Sequence, residues 1–142
     1  MRIIQILLVE DDSVDTMDIK RTLDKTTLLY KLHTAKNGEE AIKILENGSE
    51  HFPQNVPDIL LVDLNMPRMN GLEFLQMLRN KEEWRGLKTF ILTTSEEKVD
   101  KEAAKKLGVS GYVVKPLKLN NPSSMDAFNL MIDLMNMKDS AL

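Results

Sequence analysis

Five short apolar runs punctuate the chain: IIQILLV (3–9), YKLHTA (30–35), ILLVDL (59–64), TFILTT (89–94) and GYVVK (111–115). Each is followed by a stretch whose apolar residues recur at helical spacing. Runs of this length, rich in branched and aromatic residues, predict strands. The run Ile59-Leu60-Leu61-Val62 shows no polar alternation, as expected of a central strand in a parallel sheet covered on both faces. Strand and helix in alternation require crossovers, which predicts a doubly wound α/β domain. The helix punctuation agrees. Ser13 marks the first helix, Asn37-Gly38 the second, Asn70-Gly71 the third and Ser95-Glu96-Glu97 the fourth, which Gly108 closes. A last helix is expected over 122–138, with Pro122 in its first turn. The connection from Asn47 to Pro57, full of turn formers and holding two prolines, reads as an exposed loop.

Composition narrows the class. At 142 residues, with 42% hydrophobic and 29% charged residues, the chain suits one domain spanning 1–142, leaving no room for a separate output domain. Output is then expected from the domain itself. There is no cysteine, so disulfides and thiolate metal sites are excluded. The N-terminal MRIIQILLVEDD lacks the small-residue cleavage site of a signal peptide, and no apolar run is long enough to span a bilayer, so the cytoplasm is the expected compartment and no membrane is involved. A net charge of −3 with dispersed lysines provides no basic stripe for nucleic acid.

The chemistry gathers where strands end. In an open parallel sheet, ligands bind in the crevice outside the carboxyl ends of the strands. Glu10 and Asp11 end the first strand, Asp63 the third, Thr94 the fourth and Lys115 the fifth, so all five are expected on one rim. Each has an ordinary explanation alone: Asp12 and its neighbours as helix caps, Asp63 as a turn residue, Thr94 as a strand threonine, Lys115 as a surface charge. Together they mean more. Carboxylates converging on one rim repel one another unless a cation lies between them, and oxygen-only ligands suit Mg²⁺. A carboxylate, an ammonium and a hydroxyl beside that ion make a place for a phosphoryl group, with Asp63 the nucleophile by position.

The segments ILLVEDD, LLVDLNMPRMNGLEFL, FILTTS and GYVVKP, in this order and spacing, resemble the receiver domain of bacterial two-component response regulators over nearly the whole chain. The resemblance implies a flavodoxin-like (βα)5 fold with strand order 2-1-3-4-5. It implies Asp63 as phosphoacceptor, with Glu10 and Asp11 holding Mg²⁺ together with Asp63 and the backbone carbonyl of Asn65. Thr94 and Tyr112 match the switch hydroxyl and switch aromatic, and Lys115 matches the phosphate-binding lysine, with a cis bond to Pro116. Asn65 and Glu96 would tune the lifetime of the phosphoryl group. The first acid is Glu10 where many members have Asp, a change that keeps the charge. The Asn47–Pro57 segment, the EEWRGL link at 82–87 and the missing output domain resemble the stand-alone regulators that partner phytochrome-type histidine kinases. The implied function is to accept a phosphoryl group from a sensor histidine kinase, assist its own phosphorylation and dephosphorylation, and signal to a downstream protein target.

Other readings fit less well. An Asp-nucleophile, Mg²⁺-dependent phosphatase on a similar sheet is the alternative, but it needs a second Asp where this chain has Asn65. A dinucleotide-binding domain needs glycines where the first turn reads VEDDS. A phosphotransfer bundle needs a helical histidine, whereas His33 falls in a strand and His51 in a loop. The last helix carries two apolar stripes, Phe128, Ile132 and Met135 on one side and Leu130, Leu134 and Met137 on the other. One stripe can face the sheet, which leaves the second for a homodimer formed with the fourth helix and fifth strand.

Overall fold

The computed structural model describes residues 3–26, 28–64, 66, 69–94 and 101–115. Within them lie strands β1 (Ile4–Val9), β2 (Tyr30–Ala35), β3 (Ile59–Asp63), β4 (Lys88–Thr94) and β5 (Gly111–Lys115). The helices are α1 (Ser13–Asp24), α2 (Gly38–Glu46), the single turn α3 (Gly48–His51), α4 (Gly71–Arg79) and α5 (Lys101–Lys106), with a 3-10 turn at Glu82–Trp84. All strand pairs are parallel, and the order is β2-β1-β3-β4-β5. This is the flavodoxin-like arrangement expected of the sequence.

Alternation along the strands sorts the core into two layers. Leu7, Val9, Leu60, Val62 and Ile91 pack with Leu45, Phe74, Leu75, Leu78 and Ala104 from α2, α4 and α5. On the other face, Ile6, Leu8, Ile59, Leu61, Phe90, Leu92 and Val113 pack with Ile19 and Leu23 of α1. β1 and β3 are buried throughout, whereas edge strand β2 is only partly covered. The central strand β3 therefore reads as an apolar run from Ile59 to Val62, and β1 as one broken only by buried Gln5.

Two sequence expectations need correction. The Asn47–Pro57 segment is not simply an exposed loop: it contains α3, and Gly48, Phe52 and Pro57 are buried. Phe52 is buried in the core layer that also holds Leu45 and Trp84, and a turn-rich composition hides such an anchor. His51 accordingly ends a helical turn, its ring edge-on to His33. The first helix begins at Ser13, but its cap is Asp12, whose Oδ1 accepts from Val14 N and Asp15 N. The expected starts at Asn37 and Asn70 are seen as side-chain caps, and Gly108 turns the chain after α5 with a φ of 74°. The start of the fourth expected helix at 95–97, the Lys115–Pro116 bond, Glu96 and the last helix lie outside the described residues.

Sequence reading also passed over Arg79. From the end of α4 it donates to Leu107 O (2.7 Å), Trp84 O (3.1 Å) and Thr89 Oγ1 (3.0 Å), joining the 3-10 turn, β4 and the segment after α5. Nothing in its local sequence separates it from a surface arginine.

Candidate functional site

The β1, β3, β4 and β5 registers align four polar side chains at the carboxyl edge of the sheet. Val9 pairs with Val62, Asp63 with Leu92, and Thr94 with Lys115. Counting by twos from the core residues Leu8, Leu61, Leu92 and Val113 places Glu10, Asp63, Thr94 and Lys115 on the α1 side of the sheet. Asp11 follows Glu10 on the exposed rim. Tyr112 has the opposite parity and packs half-buried against the layer beneath α4 and α5. The rim thus brings together Glu10, Asp11, Asp63, Thr94 and Lys115, with Tyr112 behind it. Asn65 lies outside the described residues.

Glu10 and Asp63 are buried, at 4% and 3% exposure. One carboxylate oxygen from each of Glu10, Asp11 and Asp63 lies within 4.8 Å of the others, so the three can ligate one ion. Burial raises the Glu10 carboxyl to about 8, and the charge of Asp63 adds to the rise against the pull of Lys115. Such a donor set, all oxygen and short of positive charge, fits a hard divalent cation.

Lys115 enters the cluster from β5. Its Nζ lies 3.2 Å from Glu10 Oε2, 3.4 Å from Asp63 Oδ1 and 3.0 Å from Asp15 Oδ2. Burial works against its charge, but the hydrogen bond to Asp15 and the charges of Glu10 and Asp63 prevail, holding the ammonium above its ordinary pKa. Asp15 is the site member that sequence reading missed. Three residues after Asp12, it looks like any acid in a first helical turn.

Local chain geometry fixes Asp63. Gly71 N donates to Leu64 O at 2.9 Å, so α4 starts against the end of β3. A Cβ at Gly71 would sit 2.6 Å from Asp63 O. Asn70 and Glu73 cap the helix reciprocally, with Asn70 Oδ1 accepting from Glu73 N at 2.9 Å. The Asn70-Gly71 pair of the sequence is thus the support of Asp63.

Comparison with known proteins places this geometry in a family. The model described as response regulator receiver domain matches residues 6–124. Response regulator Rcp1 of Synechocystis sp. is 29% identical over 116 residues, covering 82% of this chain and 79% of Rcp1. The Mn²⁺-bound form of Rcp1 matches with a TM-score of 0.68 at 29% identity, over 89% of this chain and 87% of that one. The bacteriophytochrome response regulator AtBRR matches with a TM-score of 0.74 at 31% identity, over 91% and 92% of the two chains. The phosphorylated cyanobacterial phytochrome response regulator RcpA matches with a TM-score of 0.73 at 25% identity, over 99% and 97%. With the family pattern running from β1 past β5 and the strand order of the receiver fold, the chain belongs to the response regulator receiver domains of two-component systems.

Proposed function

We propose that this chain is a single-domain response regulator that accepts a phosphoryl group on Asp63 from a sensor histidine kinase of the phytochrome-associated kind. The observation that carries the reading is the meeting of buried Asp63 with Glu10, Asp11 and the Lys115 ammonium at one sheet edge. An Asp63 oxygen attacks phosphorus, the P–N bond to the kinase imidazole breaks as the P–O bond forms, and the released imidazole nitrogen takes a proton from solvent. Lys115 neutralises charge on the transferred oxygens, and Thr94, opposite Lys115 in the sheet, donates its hydroxyl to one of them. Glu10, Asp11 and Asp63, with the Asn65 carbonyl implied by the resemblance, would hold Mg²⁺. When bound, the ion supplies charge stabilisation to the phosphoryl oxygens. Mn²⁺ in Rcp1 and phosphorylation of RcpA support this assignment by likeness.

Phosphorylation would draw Thr94 toward Asp63 and let Tyr112 change its packing, altering the β4–β5 surface offered to a downstream protein in the cytoplasm. The test is direct. A small phosphodonor with Mg²⁺ should add one base-labile phosphoryl group by intact mass, and chelation should prevent it; no added mass with Mg²⁺ present would reject the reading.

The chain also forms a homodimer in this proposal, through the Leu130, Leu134 and Met137 stripe. Burying three such side chains contributes on the order of 1.5–3 kcal/mol each before the costs of association. In light scattering, Leu134→Lys should shift the protein toward monomer at least tenfold in concentration while Asp63 is still labelled. Identical monomers in both proteins, phosphorylated or not, would remove the dimer.

A further inference from the structure

In a capping box, a Glu or Gln three residues after the helix cap accepts the cap's own N–H. Glu73 does this for Asn70 on α4. On α1 the Asp12 N–H donates instead to Glu10 Oε1 at 3.2 Å. The Asp15 carboxylate turns to Lys115, at 3.0 Å, nearer than either Glu10 at 3.2 Å or Asp63 at 3.4 Å.

An ammonium has three N–H donors and no more. The three Lys115 contacts therefore match its full capacity: one on Glu10, one on Asp63 and one on Asp15. A phosphoryl oxygen arriving on Asp63 needs one of them. Glu10 and Asp63 belong to the acid cluster that converges within 4.8 Å, whereas Asp15 stands outside it on α1. The Asp15 side chain is 26% exposed, so water can take over its oxygen when Lys115 leaves. Its contact is the one that can be released at least cost.

We propose that Asp15 is a positioning residue that holds Lys115 toward α1 while Asp63 is bare and competes with the incoming phosphoryl group for the ammonium. It thereby sets a brake on phosphorylation. This rests on Asp63 being the phosphoacceptor. Asp15 acts twice: its contact must be given up, and its charge opposes an anionic donor.

The test compares wild type, Asp15→Asn and Asp15→Glu in the rate of Asp63 labelling with Mg²⁺, followed by intact mass. Two donors are used, acetyl phosphate and the less negatively charged phosphoramidate. Asp15→Asn should label faster by roughly two- to fivefold, the scale of a partly exposed ion pair. The gain should be larger with acetyl phosphate and shrink as salt rises. Asp15→Glu, which keeps the charge, should return close to the wild-type rate. A purely structural helix acid would not alter the ratio between donors. An Asn variant that labels at the wild-type rate or slower, with an unchanged donor ratio, overturns the brake. If wild type takes no phosphoryl group, or takes it with Asp63 replaced, the phosphoacceptor reading fails and the brake falls with it.

Discussion

Asp63→Asn should take up no phosphoryl group under conditions that label wild type fully, because an amide oxygen lacks the charge to attack phosphorus. The same variant should be more stable than wild type when divalent ions are chelated. In the wild type the buried Asp63 carboxylate faces Glu10 and Asp11 and, among the described residues, the Lys115 ammonium. Above pH 8, where Glu10 carries its charge, two repulsions at this range outweigh one attraction. Removing the Asp63 charge should then raise the free energy of unfolding by on the order of 1–2 kcal/mol. Mg²⁺ should reverse the ranking by stabilising wild type more than the variant. Thermal melts with and without Mg²⁺ read both effects. Equal stabilisation of the two proteins by the ion would mean that Asp63 is not a ligand, and full labelling of the Asn variant would place the nucleophile elsewhere.

The strands were legible because β1 and β3 are buried on both faces, which forces mostly apolar runs whose bounds match the structure within a residue. The rim was legible for a related reason. A parallel sheet puts every strand's carboxyl end on one side, so polar residues that close apolar runs must meet there. Period-two alternation extends the argument to the face, since Glu10, Asp63, Thr94 and Lys115 share parity with core residues on the α1 side.

Asp15 was not legible, for a physical reason. Its neighbour Asp12 already explains an acidic first turn, and only the three-dimensional return of β5 brings Lys115 within 3.0 Å. Phe52 escaped notice similarly. A single aromatic among turn formers carries no periodicity, yet it is 2% exposed and packs edge-on against His33. Arg79 belongs with them, because its three acceptors come from separate segments. Contacts made by one side chain across long sequence separations leave no repeating pattern to read.

Gly71→Ala should damage both fold and labelling, and comparison with Gly48→Ala should separate the two losses. The added methyl at Gly71 would lie 2.6 Å from Asp63 O, 3.1 Å from Leu64 Cα and 3.3 Å from Asp63 C. All three are backbone atoms, so either α4 lifts from the sheet or the end of β3 moves. Overpacking of this kind costs about 1–3 kcal/mol. The carbonyl being pushed belongs to the residue whose carboxylate must meet phosphorus, and misplacing a reacting group by a fraction of an ångström to one ångström slows the step by about ten- to a hundredfold. Gly48 meets a still closer obstacle, with its added Cβ 1.8 Å from Asn55 O, and Asn55 is itself held at a φ of 70°. That clash lies in the segment leading into β3, whereas Asp63 is the strand's last residue. Gly48→Ala should therefore lower the melting temperature at least as much as Gly71→Ala, yet its folded fraction should label at close to the wild-type rate. Labelling rates measured well below each melting temperature decide the matter. If folded Gly71→Ala labels as fast as wild type, the start of α4 supports the fold without setting the position of Asp63.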